Sequence, residues 1–152
     1  MNVLVLYNSR SGHTRAAAEA ISRAVREEKH FATVRSVAEV RGTDVAQCDL
    51  LFIGTWIRGF ILFGVKPAGV ELWAPSLPNL MNKPTGVFCT YRYNPRNSLD
   101  TLSLWVSDRG ANVVAQHAFH RSMVEEGAGE FVRSVIDSAT GQTAAYNLTP
   151  KF

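Results

Sequence analysis

The chain alternates short apolar runs with amphipathic segments. Five runs have the length and the aliphatic and aromatic content of β-strands: VLVLY (3–7), ATVRSV (32–37), LLFIG (50–54), TGVFCTY (85–91) and ANVVAQHAF (111–119). Three of them are almost continuously apolar, which is typical of parallel strands covered on both faces. The second run alternates polar and apolar positions, so we expect it at an edge of the sheet.

Helical patterns lie between these runs. Residues 16–25 place alanine, isoleucine and valine at helical spacing, with charged residues on the other side. Two further helical patterns cover 98–110, ending at Gly110, and 125–139. Three prolines interrupt 60–81, where we expect a short helix and much loop. Residues 140–152 lose the periodicity, which predicts a tail on the surface.

The order of strands and helices predicts one α/β domain over residues 1–152, with a doubly wound sheet and right-handed crossovers. The composition, with 46% hydrophobic and 19% charged residues, predicts a soluble protein without a membrane span. The net charge of +3 comes from scattered basic residues, so we expect no nucleic-acid binding. No secretory signal is visible, and Cys48 and Cys89 adjoin apolar runs, which predicts a cytoplasmic protein with buried thiols.

The segment SRSGHT (9–14) joins the first apolar run to the first helical pattern. Such a loop lies at the carboxyl edge of a parallel sheet, where a helix N-terminus presents amide groups that attract an anion. Its three hydroxyls and Gly12 would add donors and a tight turn, and the segment contains no acidic residue. An ordinary serine- and threonine-rich helix cap would show the same residues.

SRSGHT matches the [ST]-x-[ST]-G-x-[ST] phosphate loop of the flavodoxin family, in the family's position after the first strand. DLLFIGTWIRGF (49–60) and KPTGVFCTYRYN (83–94) resemble the family's third and fourth strands with their flavin-contacting loops, and the resemblance covers residues 1–139. It implies a flavodoxin-like three-layer sandwich, with a five-stranded parallel sheet of order 2-1-3-4-5, helices on both faces and FMN at the carboxyl edge.

The resemblance also implies which residues contact the cofactor. It assigns the phosphate to Ser9, Arg10, Ser11, Gly12, His13 and Thr14, and the two edges of the flavin ring to Thr55, Trp56, Ile57, Arg58 and Gly59 and to Thr90, Tyr91, Arg92, Tyr93 and Asn94. The aromatic residues of these loops, with Phe60, suit a flat ring, although core packing would also explain them. In the family, a glycine at the position of Gly59 can turn its carbonyl toward the flavin; an ordinary turn glycine is the alternative.

The charge of this chain departs from the family, whose familiar members are acidic. Arg58, Arg92 and Arg96 lie in or near the flavin loops. If they approach the ring, they favour the reduced anion, and we expect a hydroquinone couple less negative than is usual in the family. A basic face would also require an acidic redox partner. Solvated arginines with little influence are the alternative.

The resemblance implies an FMN-binding electron-transfer protein, cycling the flavin between oxidised, semiquinone and hydroquinone states with protein partners and without catalytic residues of its own. Two alternatives stay open: an FMN-dependent quinone or NAD(P)H oxidoreductase, with residues 59–73 over a substrate pocket, and a flavin-free interaction module. His117 and His120 stand three apart in a predicted strand and would point to opposite faces, so we expect no metal site.

Overall fold

The computed structural model describes residues 1–58 and 66–148. Within these residues, six strands form one sheet: β1 (Asn2–Asn8), β2 (Phe31–Ser36), β3 (Leu50–Arg58), β4 (Lys66–Pro67), β5 (Pro84–Tyr91) and β6 (Asn112–His120). The same part of the chain contains five α-helices and a 3₁₀ turn: α1 (His13–Glu27), α2 (Gly42–Gln47), α3 (Val70–Trp73), the turn Ala74–Ser76, α4 (Ser98–Asp108) and α5 (Ala128–Leu148).

The long strands are parallel and lie in the order β2-β1-β3-β5-β6. This confirms the implied order and the position of the second strand at an edge. The chain moves outward from β1 to β2 and then returns to β3 on the other side of β1. The direction of winding therefore reverses between β1 and β3, and a crevice is expected at their carboxyl ends.

Two hydrophobic cores cover the two faces of the sheet. Successive strand residues point to opposite faces, so Val3 and Val5 pack with α1 and α5, while Leu4 and Leu6 pack with α2, α3 and α4. Burial on both faces explains why β1, β3 and β5 read as continuous apolar runs. The three-layer sandwich is confirmed.

Three features of the fold differ from the sequence prediction. β3 continues past Gly54 to Arg58, because Trp56 keeps register with Thr90 of β5. The last two residues of β3 pair antiparallel with the unpredicted β4. α5 continues to Leu148, so the predicted tail is helical over 140–148; no proline occurs there before Pro150.

The smaller predictions concern the cysteines and a helix end. Cys48 and Cys89 are free and buried, as predicted. Burial raises the pKa of both thiols, that of Cys89 to about 12. Gly110 has φ +92° just after α4, which is the left-handed conformation expected of a glycine at a helix C-terminus. No helix in the described ranges is long and apolar enough to cross a bilayer.

Candidate functional site at the carboxyl edge of the sheet

The loop between β1 and α1 closes on itself through a glycine. Gly12 is the N-cap of α1 and has φ +91°. A Cβ built on it would meet no atom within 4 Å, so backbone conformation rather than crowding favours glycine here. The Gly12 amide donates to Ser9 Oγ at 3.1 Å, and the Gly12 carbonyl accepts the Ala16 amide at 2.9 Å. Because Gly12 has no side chain, the backbone at the middle of the loop is accessible to a ligand.

The amino end of α1 has no side-chain cap within the described residues. The amides of the first helical turn have no acceptor inside the helix, and this turn contains no acidic residue. Ser9 Oγ accepts the amide of the N-cap residue Gly12, but Gly12 itself has no side chain with which to cap the first turn of α1. The amides and the positive end of the helix dipole remain available to an anion.

A buried pair of hydroxyls joins this loop to β5. Thr14 Oγ1 lies 2.8 Å from Thr90 Oγ1, and the two residues are 1% and 3% exposed. One hydroxyl hydrogen occupies the contact, which leaves the hydrogen of the other hydroxyl for a further acceptor. Two residues that the sequence assigned to different loops of the site are therefore in direct contact.

A pocket of about 70 Å³ lies beside this pair. It is lined by Ser11, His13, Trp56, Ile57, Thr90, Tyr91, Arg92 and Arg121. Its walls thus come from the start of α1, the ends of β3 and β5, and the residue after β6. Its volume is below the roughly 300–1,000 Å³ of a typical small-molecule site. Two residues predicted near the flavin, Gly59 and Phe60, lie outside the described residues.

Arg121 is the lining residue that the sequence prediction missed. It directly follows β6, and its amide donates to the Tyr91 carbonyl at 2.9 Å. This bond continues the β5–β6 ladder by one residue and places Arg121 beside the end of β5. The available signal was its position two residues after the last predicted strand, near the edge of the sheet at which Arg92 follows the fourth.

Some predicted residues support the pocket without lining it. Thr55 is fully buried and accepts a hydrogen bond from Asn8 Nδ2 at 3.1 Å. Asn8 Nδ2 also donates to the Ala68 carbonyl at 3.2 Å, so these residues tie the ends of β1 and β3 to the segment after β4. Asn94 Oδ1 accepts the Arg96 amide at 2.9 Å and closes the turn after β5.

Aromatic rings and guanidinium groups meet at the rim. The Arg10 guanidinium lies 5.7 Å from the centroid of the Trp56 ring, and that of Arg92 lies 5.0 Å from the centroid of Tyr93. Trp56 is half-buried at the pocket, away from the buried clusters that cover the sheet. Tyr93 is 64% exposed. Trp56 and Tyr91 are therefore placed to cover a planar ligand, whereas Tyr93 faces solvent.

His120 connects the loops that follow β5 and β6. Its Nδ1 accepts the Ser122 amide at 3.3 Å, which leaves Nε2 as the protonated nitrogen, donating to the Arg92 carbonyl at 3.0 Å. The His120 ring also meets the Tyr91 ring edge-on at 5.4 Å. These contacts of His120 hold the loops after β5 and β6 together on one side of the pocket. The charged residues that line the pocket, Arg92 and Arg121, are both basic.

Other cavities exceed this pocket in volume but have a different chemistry. One of about 590 Å³ lies between β6 and α5 and shares Tyr91 with the pocket; its lining includes Glu126 and Glu130. Another of about 120 Å³ lies at the opposite edge of the sheet, beside Asn2 and Asp44. The described residues contain no group of three or more histidine, cysteine or acidic side chains suited to a metal ion. The donors for an anion and the aromatic walls occur together at the 70 Å³ pocket.

Comparisons with known proteins agree with this fold. A family model for the flavodoxin domain matches residues 4–98. A flavodoxin from the domain Archaea is 20% identical, covers 94% of this chain and 99% of its own, and has a TM-score of 0.66. Two-electron reduced Megasphaera elsdenii flavodoxin is 20% identical over 86% of this chain and 98% of its own, with a TM-score of 0.65. Rubredoxin oxygen:oxidoreductase from Desulfovibrio gigas is 12% identical over 94% of this chain but 37% of its own, with a TM-score of 0.70. No curated protein matches the chain.

Proposed function

Because this chain belongs to the flavodoxin domain family, we propose that it binds FMN at the carboxyl edge of its sheet and carries electrons between protein partners in the cytoplasm. The observation that supports this most is the uncapped first turn of α1, beside a pocket with hydroxyl, arginine and aromatic walls. No carboxylate lines that pocket among the described residues.

The residues present fit the chemical groups of FMN. Amides of the first turn of α1 and the Ser11 hydroxyl would hold the phosphate, since charge-assisted hydrogen bonds to an anion are strong. Trp56 and Tyr91 would cover the ring and exclude water from it. When bound, FMN supplies one- and two-electron chemistry. The proposed contacts remain the segments 9–14, 55–59 and 90–94, with Arg121 added.

A second candidate function is supported by the large cavity beside Tyr91. An FMN-dependent quinone or NAD(P)H oxidoreductase needs room for a second ligand next to the flavin, and the cavity of about 590 Å³ shares a wall with the proposed flavin site. Such an enzyme would consume NAD(P)H with a quinone without any added protein. An electron carrier would not.

The test is a titration of the flavin-free protein with FMN, followed by visible absorbance and flavin fluorescence. We expect saturable binding with a yellow product and a changed flavin spectrum. A colourless protein that leaves the spectrum of added FMN unchanged would contradict the proposal and favour a flavin-free interaction module. Rapid oxidation of NAD(P)H by the loaded protein with a quinone would favour the enzyme.

A further inference from the structure

Three arginines surround the proposed flavin site. Arg10 follows β1, Arg92 follows β5 and Arg121 follows β6. β1 and β6 are separated by three strand spacings in the sheet, which corresponds to roughly 14 Å at about 4.8 Å per strand. We call Arg10, Arg92, Arg121 and the exposed Tyr93 the arginine rim. The positive charge of the arginine rim is spread over a distance larger than one phosphate group. Such a distance is suited to contact with the surface of another protein.

The arginines of the rim are not neutralised by ion pairs. In the ranges 1–58 and 66–148, the ion pairs join Arg15 with Glu19, Arg23 with Glu125, and Arg133 with Glu28. All of these involve α1 or α5 and none involves the rim. No carboxylate of the described residues binds the rim, and guanidinium groups bind carboxylates in a bidentate geometry, so the rim suits acidic side chains of a partner.

Aromatic contacts and backbone bonds hold two of these guanidinium groups in place. Arg10 lies over Trp56, and Arg92 lies over Tyr93. The Arg92 carbonyl is bonded to His120, which fixes the loop that carries both Arg92 and Tyr93. Ordering these side chains in advance lowers the entropy cost of docking. Exposed tyrosine and arginine are also the residue types that dominate the binding energy of interfaces.

We infer that the arginine rim docks an acidic redox protein, with carboxylates of the partner on Arg10, Arg92 and Arg121 and an apolar contact on Tyr93. This inference rests on the proposed function, because the rim surrounds the site through which electrons would pass. The carboxylates steer the encounter, and the tyrosine supplies the apolar anchor.

The experiment measures the affinity of the FMN-loaded protein for two redox proteins of opposite charge, a plant-type ferredoxin, which is acidic, and cytochrome c, which is basic. We expect calorimetry to detect the ferredoxin complex at low salt, and the complex to weaken as salt rises through about 0.1 M. Arg92→Gln, Arg121→Gln and Tyr93→Ala are each expected to lower its affinity by about three- to tenfold.

Arg26→Gln is the matched control, because it removes the same charge from the last turn of α1, away from the rim. We expect it to change the affinity by less than about twofold. Tighter binding of cytochrome c than of ferredoxin, or an equal loss in Arg26→Gln, would overturn the inference. So would rim variants that weaken NADPH binding and leave ferredoxin binding unchanged, since the rim would then be a nucleotide site.

The flavin spectrum separates this inference from the proposed function. If the protein binds no FMN, the proposed function fails, and the ferredoxin titration of the flavin-free protein still tests the rim. If FMN binds normally and ferredoxin binding is absent at low salt, only the docking inference fails.

Discussion

The two ends of the parallel sheet use their polar groups differently. At the amino end of the strands, the polar groups form hydrogen bonds with one another within the protein. Asp49 accepts the Asn2 amide at 2.8 Å, and the Arg109 guanidinium donates to the Leu77 carbonyl at 3.0 Å. The amino group of Met1 lies 2.9 Å from His30 Nδ1. These bonds join neighbouring segments and complete the fold.

At the carboxyl end, the amides of the first turn of α1 and three arginines have no capping or ion-pair partner within the described residues. Among residues 1–58 and 66–148, no side chain caps the first turn of α1, and no carboxylate forms an ion pair with Arg10, Arg92 or Arg121. Clustered charges of one sign repel each other, so an arrangement of this kind costs free energy unless a ligand or solvent compensates it. The difference is consistent with the proposal that the carboxyl end of the sheet binds an anionic ligand, whereas the amino end contributes to stability.

The largest expected effect comes from removing hydroxyls at the carboxyl end. Ser11→Ala and Thr14→Val should each weaken FMN binding by roughly ten- to a hundredfold, because a charge-assisted hydrogen bond contributes about 1.5–3 kcal/mol. Equilibrium titration measures the loss. Thr85→Val is the control at the amino end, where the hydroxyl donates to the Lys83 carbonyl at 2.8 Å. It should lower stability and leave FMN affinity unchanged; an equal loss of affinity would break the comparison.

Gly12→Ala tests the backbone of the loop. The left-handed φ of +91° should make this variant less stable by about 1–2 kcal/mol, because a Cβ is disfavoured there even in open space. Gly42→Ala is the matched control at the start of α2, where the space is also open and φ is ordinary. Urea unfolding should show little change or a small gain for Gly42→Ala. Similar losses of unfolding free energy in both variants would show that the left-handed conformation of Gly12 does not account for the effect.

A smaller effect is expected on the redox potential. Arg121→Gln should make the midpoint potential for the second flavin electron more negative by on the order of 10–40 mV, because a positive charge near the reduced ring is lost. Spectroelectrochemistry of the loaded protein measures the shift. Arg26→Gln, at the far end of α1, should leave the potential unchanged. Equal potentials for Arg121→Gln and the parent protein would show that solvent screens the charge of Arg121 from the flavin ring, which would contradict this prediction.

The smallest effect concerns His117, which lies within β6 between the two ends. Desolvation lowers its pKa below 6.5, against the opposing influence of the Glu126 carbonyl and the Glu130 charge. The unfolded chain therefore binds this proton more readily, so the contribution of His117 to stability is fully present above pH 6.5 and is lost as the pH drops below it. His117→Phe keeps an aromatic ring against Phe131 and should flatten this dependence. An unchanged slope in unfolding measurements below that pH would contradict the assignment.

The sequence predicted the parts of this fold that depend on local patterns. The run 3–7 is apolar throughout because both faces of β1 are buried. The apolar residues of 16–25 recur with the helical period because one face of α1 is buried. The first loop of the proposed site was predicted from its position between an apolar run and a helical pattern, and the loops 55–59 and 90–94 were implied by the resemblance to flavodoxins.

The parts that the sequence did not predict depend on contacts between distant segments. β4 exists through the pairing of Lys66 with Arg58, and neither residue belongs to an apolar run. Arg121 joins the pocket through its bond to Tyr91, which no local motif encodes. The contact of Thr14 with Thr90 likewise requires the packing of α1 against β5.

The central claim is that the loop 9–14 and the first turn of α1 bind the phosphate of FMN. The most direct measurement compares the dissociation constants of FMN and riboflavin, which differ only in the phosphate. We predict that FMN binds at least about a hundredfold more tightly, since several charge-assisted bonds are lost with riboflavin. Equal dissociation constants would contradict the claim.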